Sequence, residues 1–366
     1  MSLQCGIIGL PNVGKSTLFN ALTAASVPAE NYPFCTVEPH HGIVALPDFQ
    51  LRALALVYKT QKITPATVEF TDIAGLVKGA SRGEGLGNQF LGQIKQVQAL
   101  INVVRCFKDT NIAYTEGGVN PIRDAEIVET ELLLKDLDTI QKRINAIVKI
   151  AKSGSKSAKA EIELLEQLQQ HCNSGSPIRT IPLTDIEANY IKELFLLTSK
   201  PILHVANIDE EQLMDDSLDT AVKNINDYAN QQGTLCVSLC AQVEAEIAHL
   251  AEDEKILFLQ EYKLNEPGLN RLIEKAFSLL NLITFYTGNS NEVRAWTLPA
   301  TGTALDAANA VHTDFAKGFI KADVYKVPNL VQCGSEFEVR EAGLSMQVGR
   351  EYIVQDGDCL YFRSSN

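Results

Sequence analysis

The chain has 366 residues, 45% of them hydrophobic and 21% charged, with a formal net charge of −13. That length allows a large core and at least one further domain, and the acidic balance argues against a protein that coats nucleic acid indiscriminately. No apolar run approaches the roughly 20 residues of a membrane span, and Met1–Gly6 lacks the basic stretch of a signal peptide, so no membrane partner and a cytoplasmic location are expected.

The first element is a strand over 3–9, which runs into Gly9-Leu10-Pro11-Asn12-Val13-Gly14-Lys15-Ser16 and then into the apolar-periodic Leu18–Leu22. Strand, G-x-x-x-x-G-K-S and helix in this order make a phosphate-binding loop. Backbone amides of Asn12, Val13, Gly14, Lys15, Ser16 and Thr17 converge on phosphate at a helix N-terminus. Lys15 reaches the β- and γ-phosphates and the Ser16 hydroxyl ligates Mg²⁺. Glycine is expected at 9 and 14 because a Cβ would obstruct the wrap around phosphate. Thr36, in Tyr32-Pro33-Phe34-Cys35-Thr36, stands where a switch threonine completes the Mg²⁺ shell. The alternative for Thr36 is a hydroxyl that caps a turn.

Strands are expected next at 42–46 and 66–72, the latter ending in Asp72-Ile73-Ala74-Gly75. In this D-x-x-G arrangement Asp72 supports Mg²⁺ through water and the Gly75 N–H contacts the γ-phosphate. Leu76 then occupies the place where Ras-type enzymes keep a water-orienting glutamine, so intrinsic turnover is expected to be slow. The glycine-rich run 77–88 reads as a switch or as an ordinary flexible loop.

After a strand at 99–105, Leu133, Leu137, Ile140, Ile144, Ile147 and Ala151 recur at spacings of 4, 3, 4, 3 and 4, a coiled-coil seam. Ser153-Gly154-Ser155 breaks it, and Ile162, Leu165, Leu168 and Cys172 resume it, which predicts a helical hairpin inserted between strands. Near its tip Lys142, Arg143, Lys149, Lys152, Lys156 and Lys159 form a basic cluster, and residues 142–160 contain no Asp or Glu. The cluster reads as an RNA contact or as a solvated helix face.

A strand at 201–206 leads to Asn207-Ile208-Asp209-Glu210, where a GTPase would show Asn-Lys-x-Asp. The extra methylene of Glu210 displaces the carboxylate that accepts from guanine's N1–H and amino group, so guanine selectivity is lost. Asn207 is expected to pair with the amino/N7 edge of adenine, making ATP the substrate. After the strand at 234–238, Ser238 and Ala241 fall in the last base-contacting loop. From 281 onward short β-like runs at 282–287, 292–297, 347–354 and 359–362 surround a helix over 304–312, a small α+β unit. There His312, Phe315, Lys317, Phe319 and Lys321 either face RNA or, for the phenylalanines, pack. The eight scattered cysteines read as reduced, mostly buried thiols, with Cys35 a reactive alternative.

Taken together, residues 9–17, Tyr32–Thr36, Asp72–Ala80, Gly83–Asn88 and Asn207-x-x-Glu210 resemble the YchF/Obg-like ATPases, Obg-related P-loop proteins with a hydrophobic residue replacing the catalytic glutamine. The resemblance spans the whole chain. It implies an α/β, Ras-like P-loop NTPase with a mostly parallel sheet over 3–259, an inserted hairpin at 121–200, a linker helix at 260–280 and a ubiquitin-like TGS domain at 281–364. It further implies a cytosolic, Mg²⁺-dependent ATPase, here expected to be a monomer, that binds ribosomes and rRNA through the hairpin and TGS unit and is linked to translation and stress. Lys15, Asp72, Gly75 and Leu76 form its catalytic set. A histidine that family members often carry after the strand at 99–105 falls at Tyr114 here, a poor base at pH 7. Other readings remain open: a binding module that nucleotide only stabilises, an Obg-class GTPase, or a metabolic P-loop kinase, for which no arginine-bearing lid is evident.

Overall fold

The structure is a computed structural model, which describes residues 3–25, 40–73, 87–109, 112–113, 117–214 and 220–365. Thr36, Cys35, Gly75, Leu76 and Tyr114 lie outside the described residues. Twelve strands form among those described: β1 (Leu3–Ile8), β2 (His41–Ala45), β3 (Ile63–Thr64), β4 (Thr67–Asp72), β5 (Ala99–Arg105), β6 (Ile202–Asn207), β7 (Leu235–Leu239), β8 (Leu282–Gly288), β9 (Val293–Pro299), β10 (Phe319–Lys326), β11 (Met346–Val348) and β12 (Asp358–Ser364).

One sheet has the order β2-β4-β1-β5-β6-β7, with β1–β5, β5–β6 and β6–β7 parallel. Every residue of β5 and β6 is buried, as a parallel strand covered on both faces requires. The strands expected at 3–9, 42–46, 66–72, 99–105, 201–206 and 234–238 all form, shifted by a residue at most. The C-terminal ends of β1, β5, β6 and β7 therefore share one edge, where open α/β sheets bind ligands.

The insertion forms helices Pro121–Lys152 and Lys156–Asn173. Asn120 caps the first through the Arg123 amide, Gly154 takes φ +101° in the turn, and Ser155 caps the second through Ala158. Leu133, Ile140, Ile147, Leu165, Leu168 and Cys172 are buried in one cluster, joined by Ile178, Ile191 and Leu196. The last three come from a segment, including helix Asp185–Leu194, that covers the base of the hairpin; the heptad pattern alone did not reveal it. The buried Asp136 carboxylate accepts from the amides of Leu197 and Thr198, pinning the return of the insertion to its outgoing helix.

The second sheet has the order β11-β10-β12-β8-β9-β3. Its β3 comes from the first quarter of the chain and pairs parallel with β9. The chain accordingly divides into one unit of residues 1–44 and 69–272 and another of 45–68 and 273–366. The continuous 3–259 domain of the sequence reading is thus interrupted, and the expected linker is mostly helix Gly268–Leu279, through which the division passes. Side chains explain why 45–68 belongs to the second unit. Helix Phe49–Tyr58 buries Leu51, Leu54 and Ala55, Tyr58 donates to Glu336, Asp48 accepts from Tyr286 and Thr64 donates to Glu292.

Within the second unit the expected strands at 282–287, 292–297 and 359–362 form, but that at 347–354 is cut to β11. Beyond Gly349 the chain turns so that the Arg350 and Tyr352 carbonyls accept from the first amides of helix Ala304–Val311. Strand β10, which pairs with both β11 and β12, was not anticipated. Lys321, Asp323 and Lys326 break its apolar alternation, yet Asp323 is only 2% exposed and pairs with Arg363 at 2.6 Å. Phe319 is buried and Phe315 packs beside it, so core packing accounts for both phenylalanines, while His312 and Lys317 are exposed. The seven described cysteines are outside disulfides, five of them buried. Among the described residues no helix is long and apolar enough to cross a membrane.

Candidate functional site

The loop after β1 takes positive φ at Gly9 (+146°), Asn12 (+63°) and Gly14 (+97°), a conformation that wraps the backbone and favours glycine. A Cβ on Gly9 would lie 2.5 Å from the Val103 carbonyl oxygen. One on Gly14 would lie 2.2 Å from Asn207 Nδ2, so this glycine makes room for that asparagine. Helix Lys15–Ala24 follows with no side chain among the described residues capping its N-terminus, and the first amides of such a helix end receive an anion well. Lys15 is 8% exposed and its Nζ donates to the Leu10 carbonyl at 3.0 Å. Burial lowers its pKa, opposed by the charge of Asp72.

Asp72 closes β4. Burial raises its pKa, and the positive charges of Lys15 and His40 work against that rise. Its Oδ1 is buried without a hydrogen-bond partner among the described residues. An orphaned carboxylate oxygen beside the phosphate loop suits a hard cation or the water that such a cation carries. With the Ser16 hydroxyl on the cavity wall, the residues present fit Mg²⁺.

Asn207, at the end of β6, spans the site. Its Nδ2 donates to the Val13 carbonyl at 2.9 Å, and its Oδ1 accepts from the Ala241 amide at 3.0 Å. The carboxamide thus ties the phosphate loop to the segment after β7, which leaves one N–H for a base edge. Ile208 is buried and packs with Val104, Cys240 and Tyr262. Asp209 and Gln212 exchange backbone-to-side-chain bonds of 2.9 Å each, and Gln212 Nε2 donates to the Cys106 carbonyl. Glu210 is exposed at the rim, and its Oε1 accepts from the Tyr262 hydroxyl.

A cavity of about 960 Å³ opens between these segments, lined by Asn12, Gly14, Lys15, Ser16 and Thr17 on one side and by Asn207, Ile208, Glu210 and Ala241 on the other. Val13 lies behind the wall and takes part through its carbonyl. Ser238 sits inside β7, its carbonyl accepting from Arg271, and the wall there is Cys240–Gln242 instead. Sequence reading missed Phe107 and Lys108, which also line the cavity. Arg105 shapes their loop: its guanidinium lies 4.4 Å from the Phe107 ring centroid and donates to the carbonyls of Phe107, Asp109 and Ile112. Their position just beyond β5, at the ligand-binding edge of the sheet, was the signal available.

The six basic residues of the hairpin divide into two groups. Lys142 pairs with Asp138 at 2.8 Å, and Arg143 pairs with Glu161 at 2.6 Å and also meets Tyr190. Both acids lie just outside the acid-free window. Lys149, Lys152, Lys156 and Lys159 are exposed and make no ion pair among the described residues.

Comparison with known proteins bears on this geometry. A family described as 50S ribosome-binding GTPase matches residues 4–165, and the YchF GTPase C-terminal family, described as a protein of unknown function, matches residues 282–365. The chain is 47% identical over 363 residues to the ribosome-binding ATPase YchF of Pasteurella multocida and 46% identical to that of Bacillus subtilis, covering 99% of each chain in both cases. The chain belongs to the YchF family. The solved Schizosaccharomyces pombe YchF GTPase superposes with a TM-score of 0.88 at 34% identity, over 99% of this chain and 98% of that one. For a YchF protein, the P-loop NTPase fold, the helical insertion and the C-terminal α+β unit are therefore family architecture.

Proposed function

We propose that the chain is a ribosome-binding ATPase of the cytoplasm that acts as a Mg²⁺-dependent, monomeric molecular switch linked to translation and stress. The observation that carries the nucleotide part is the pairing, across one cavity, of an uncapped P-loop helix with an Asn-x-x-Glu segment that Asn207 ties to it. Residues Asn12–Thr17 cradle the phosphates, and Lys15 exchanges the Leu10 carbonyl for β- and γ-phosphate oxygens. Ser16, Thr36 and Asp72 would hold the cation, which would neutralise charge on the phosphates. Gly75 contacts the γ-phosphate. Asn207, Ile208, Glu210 and Ala241 form the base side. The relatives' names support the ATPase activity and the ribosome as partner.

Nucleotide titration tests the first half: ATP is expected to bind more tightly than GTP, and a preference for GTP would return the chain to the Obg-type GTPases. Sedimentation with ribosomes in ATP, ADP and nucleotide-free states tests the second, with binding that depends on nucleotide. Leu76, in place of a water-orienting glutamine, favours one other reading, a binding module with negligible turnover. Single-turnover hydrolysis with and without ribosomes separates the two, since a switch is accelerated by its partner and a passive module is not.

A further inference from the structure

Tyr262, which no motif singles out, ends helix Glu252–Glu261. The residue is 8% exposed, and its ring stacks on Phe258 with centroids 4.8 Å apart and planes at 26°. It shares a core cluster with Ile208, Cys240 and Val243, which carry the two base-side segments. A ring packed in this way fixes where its hydroxyl stands, and that hydroxyl donates to Glu210 Oε1. The bond also raises the Tyr262 pKa, to about 12. On the backbone side, the Asp209–Gln212 bracket fixes the residue that precedes Glu210. The Glu210 carboxylate is therefore anchored from behind, with one oxygen already accepting.

The two purines make different demands on such a group. Guanine presents N1–H and the 2-amino group side by side, a pair that asks for both oxygens of a carboxylate. Adenine presents its single 6-amino donor next to N1, an acceptor. We infer that Tyr262 is a specificity-positioning residue: by holding Oε1 it fixes the orientation of the Glu210 carboxylate, turning the remaining acceptor capacity toward the amino group of adenine and out of line with the paired donors of guanine. The inference rests on the reading that Glu210 faces the base.

Equilibrium titration with ATP, GTP and inorganic tripolyphosphate tests it. Tyr262→Phe keeps the stacked ring and removes the tether. It is expected to narrow the ATP:GTP affinity ratio about tenfold, the order of one hydrogen bond to a charged group, and to raise KM for ATP more than it lowers kcat. Tripolyphosphate, which has no base, should bind Tyr262→Phe as it binds the wild type; a general loss of structure would move all three ligands together. Glu210→Gln supplies an independent arm. With Tyr262 present, the Gln oxygen accepts its hydroxyl and the amide NH₂ faces the base, so ATP affinity falls; adding Tyr262→Phe lets the amide rotate and restores part of it. An ATP:GTP ratio unchanged by Tyr262→Phe, or no recovery in the double variant, overturns the assignment. A wild type that does not prefer ATP overturns the underlying reading of Glu210 instead.

Discussion

At the nucleotide cavity Lys15 and Asn207 are buried and, like Glu210, already engaged, whereas at the hairpin tip the lysines are exposed and uncommitted. Lys15 donates to Leu10, Asn207 holds Val13 and Ala241, and Tyr262 holds Glu210. Lys149, Lys152, Lys156 and Lys159 stand in solvent without ionic partners among the described residues. The contrast separates two kinds of recognition. Preorganised, dehydrated groups discriminate by geometry, because a misplaced atom leaves a buried partner unsatisfied. Exposed charges on flexible stems attract a polyanion by counterion release and distinguish little beyond charge and shape.

The largest effect is expected at Asn207. Asn207→Ala leaves the Ala241 amide and the Val13 carbonyl without their partner, which should lower stability by about 2–5 kcal/mol in urea unfolding and weaken ATP and GTP binding alike. A variant with wild-type stability would show that the tie across the cavity is dispensable, and the contrast would fail on its buried side.

A buried group away from the cavity sharpens the same point. His204 on β6 lies beside Asn102 and edge-on to Tyr228, and burial lowers its pKa from 6.5 to about 4, with the charge of Arg179 adding to the effect. Between those values the unfolded chain binds a proton that the folded chain refuses, so this contribution to stability is full above about pH 6.5 and is lost as pH falls toward 4. The loss amounts to roughly 3 kcal/mol at 1.36 kcal/mol per unit. His204→Gln should flatten the acid side of the stability profile; an unchanged slope would count against it.

At the tip, converting Lys149, Lys152, Lys156 and Lys159 together to Glu should leave unfolding within about 0.5 kcal/mol of wild type. The same variant should weaken ribosome binding about tenfold or more and lower the salt slope by roughly 0.7–0.9 for each phosphate that is no longer neutralised. Ribosome binding and salt slope at wild-type values would place the contact elsewhere. The smallest effect is expected for Lys142→Ala, whose partner Asp138 already neutralises it. An exposed i,i+4 pair contributes about 0.3–0.5 kcal/mol, so thermal unfolding should barely move and ribosome affinity should change less than for any tip lysine. A large drop in affinity would mean that Lys142 leaves Asp138 for phosphate.

Local patterns carried much of this architecture in legible form. The phosphate loop, the strands of the first sheet and the hairpin seam depend on residues within a few positions of one another, and motif, apolar run and spacing respectively point to them. Less legible were groups whose environment comes from far along the chain. Asp323 reads as a solvent-facing residue until Arg363 meets it across β10 and β12. Phe107 and Lys108 carry no motif, yet Arg105 folds their loop against the cavity.

From sequence alone came the class of chemistry: Gly14-Lys15-Ser16 and Asp72 name a nucleoside triphosphatase, because phosphate binding needs those side chains at those points, and Glu210 carries the proposed change of base. Tertiary structure decided how the parts are bound together. It placed residues 45–68 in the second sheet, turned Asn207 into a brace 194 residues from its Val13 partner, and set Tyr262 behind Glu210. Periodicity reports which face of an element is buried; only the folded chain brings to that face the donor or acceptor that a buried polar atom requires.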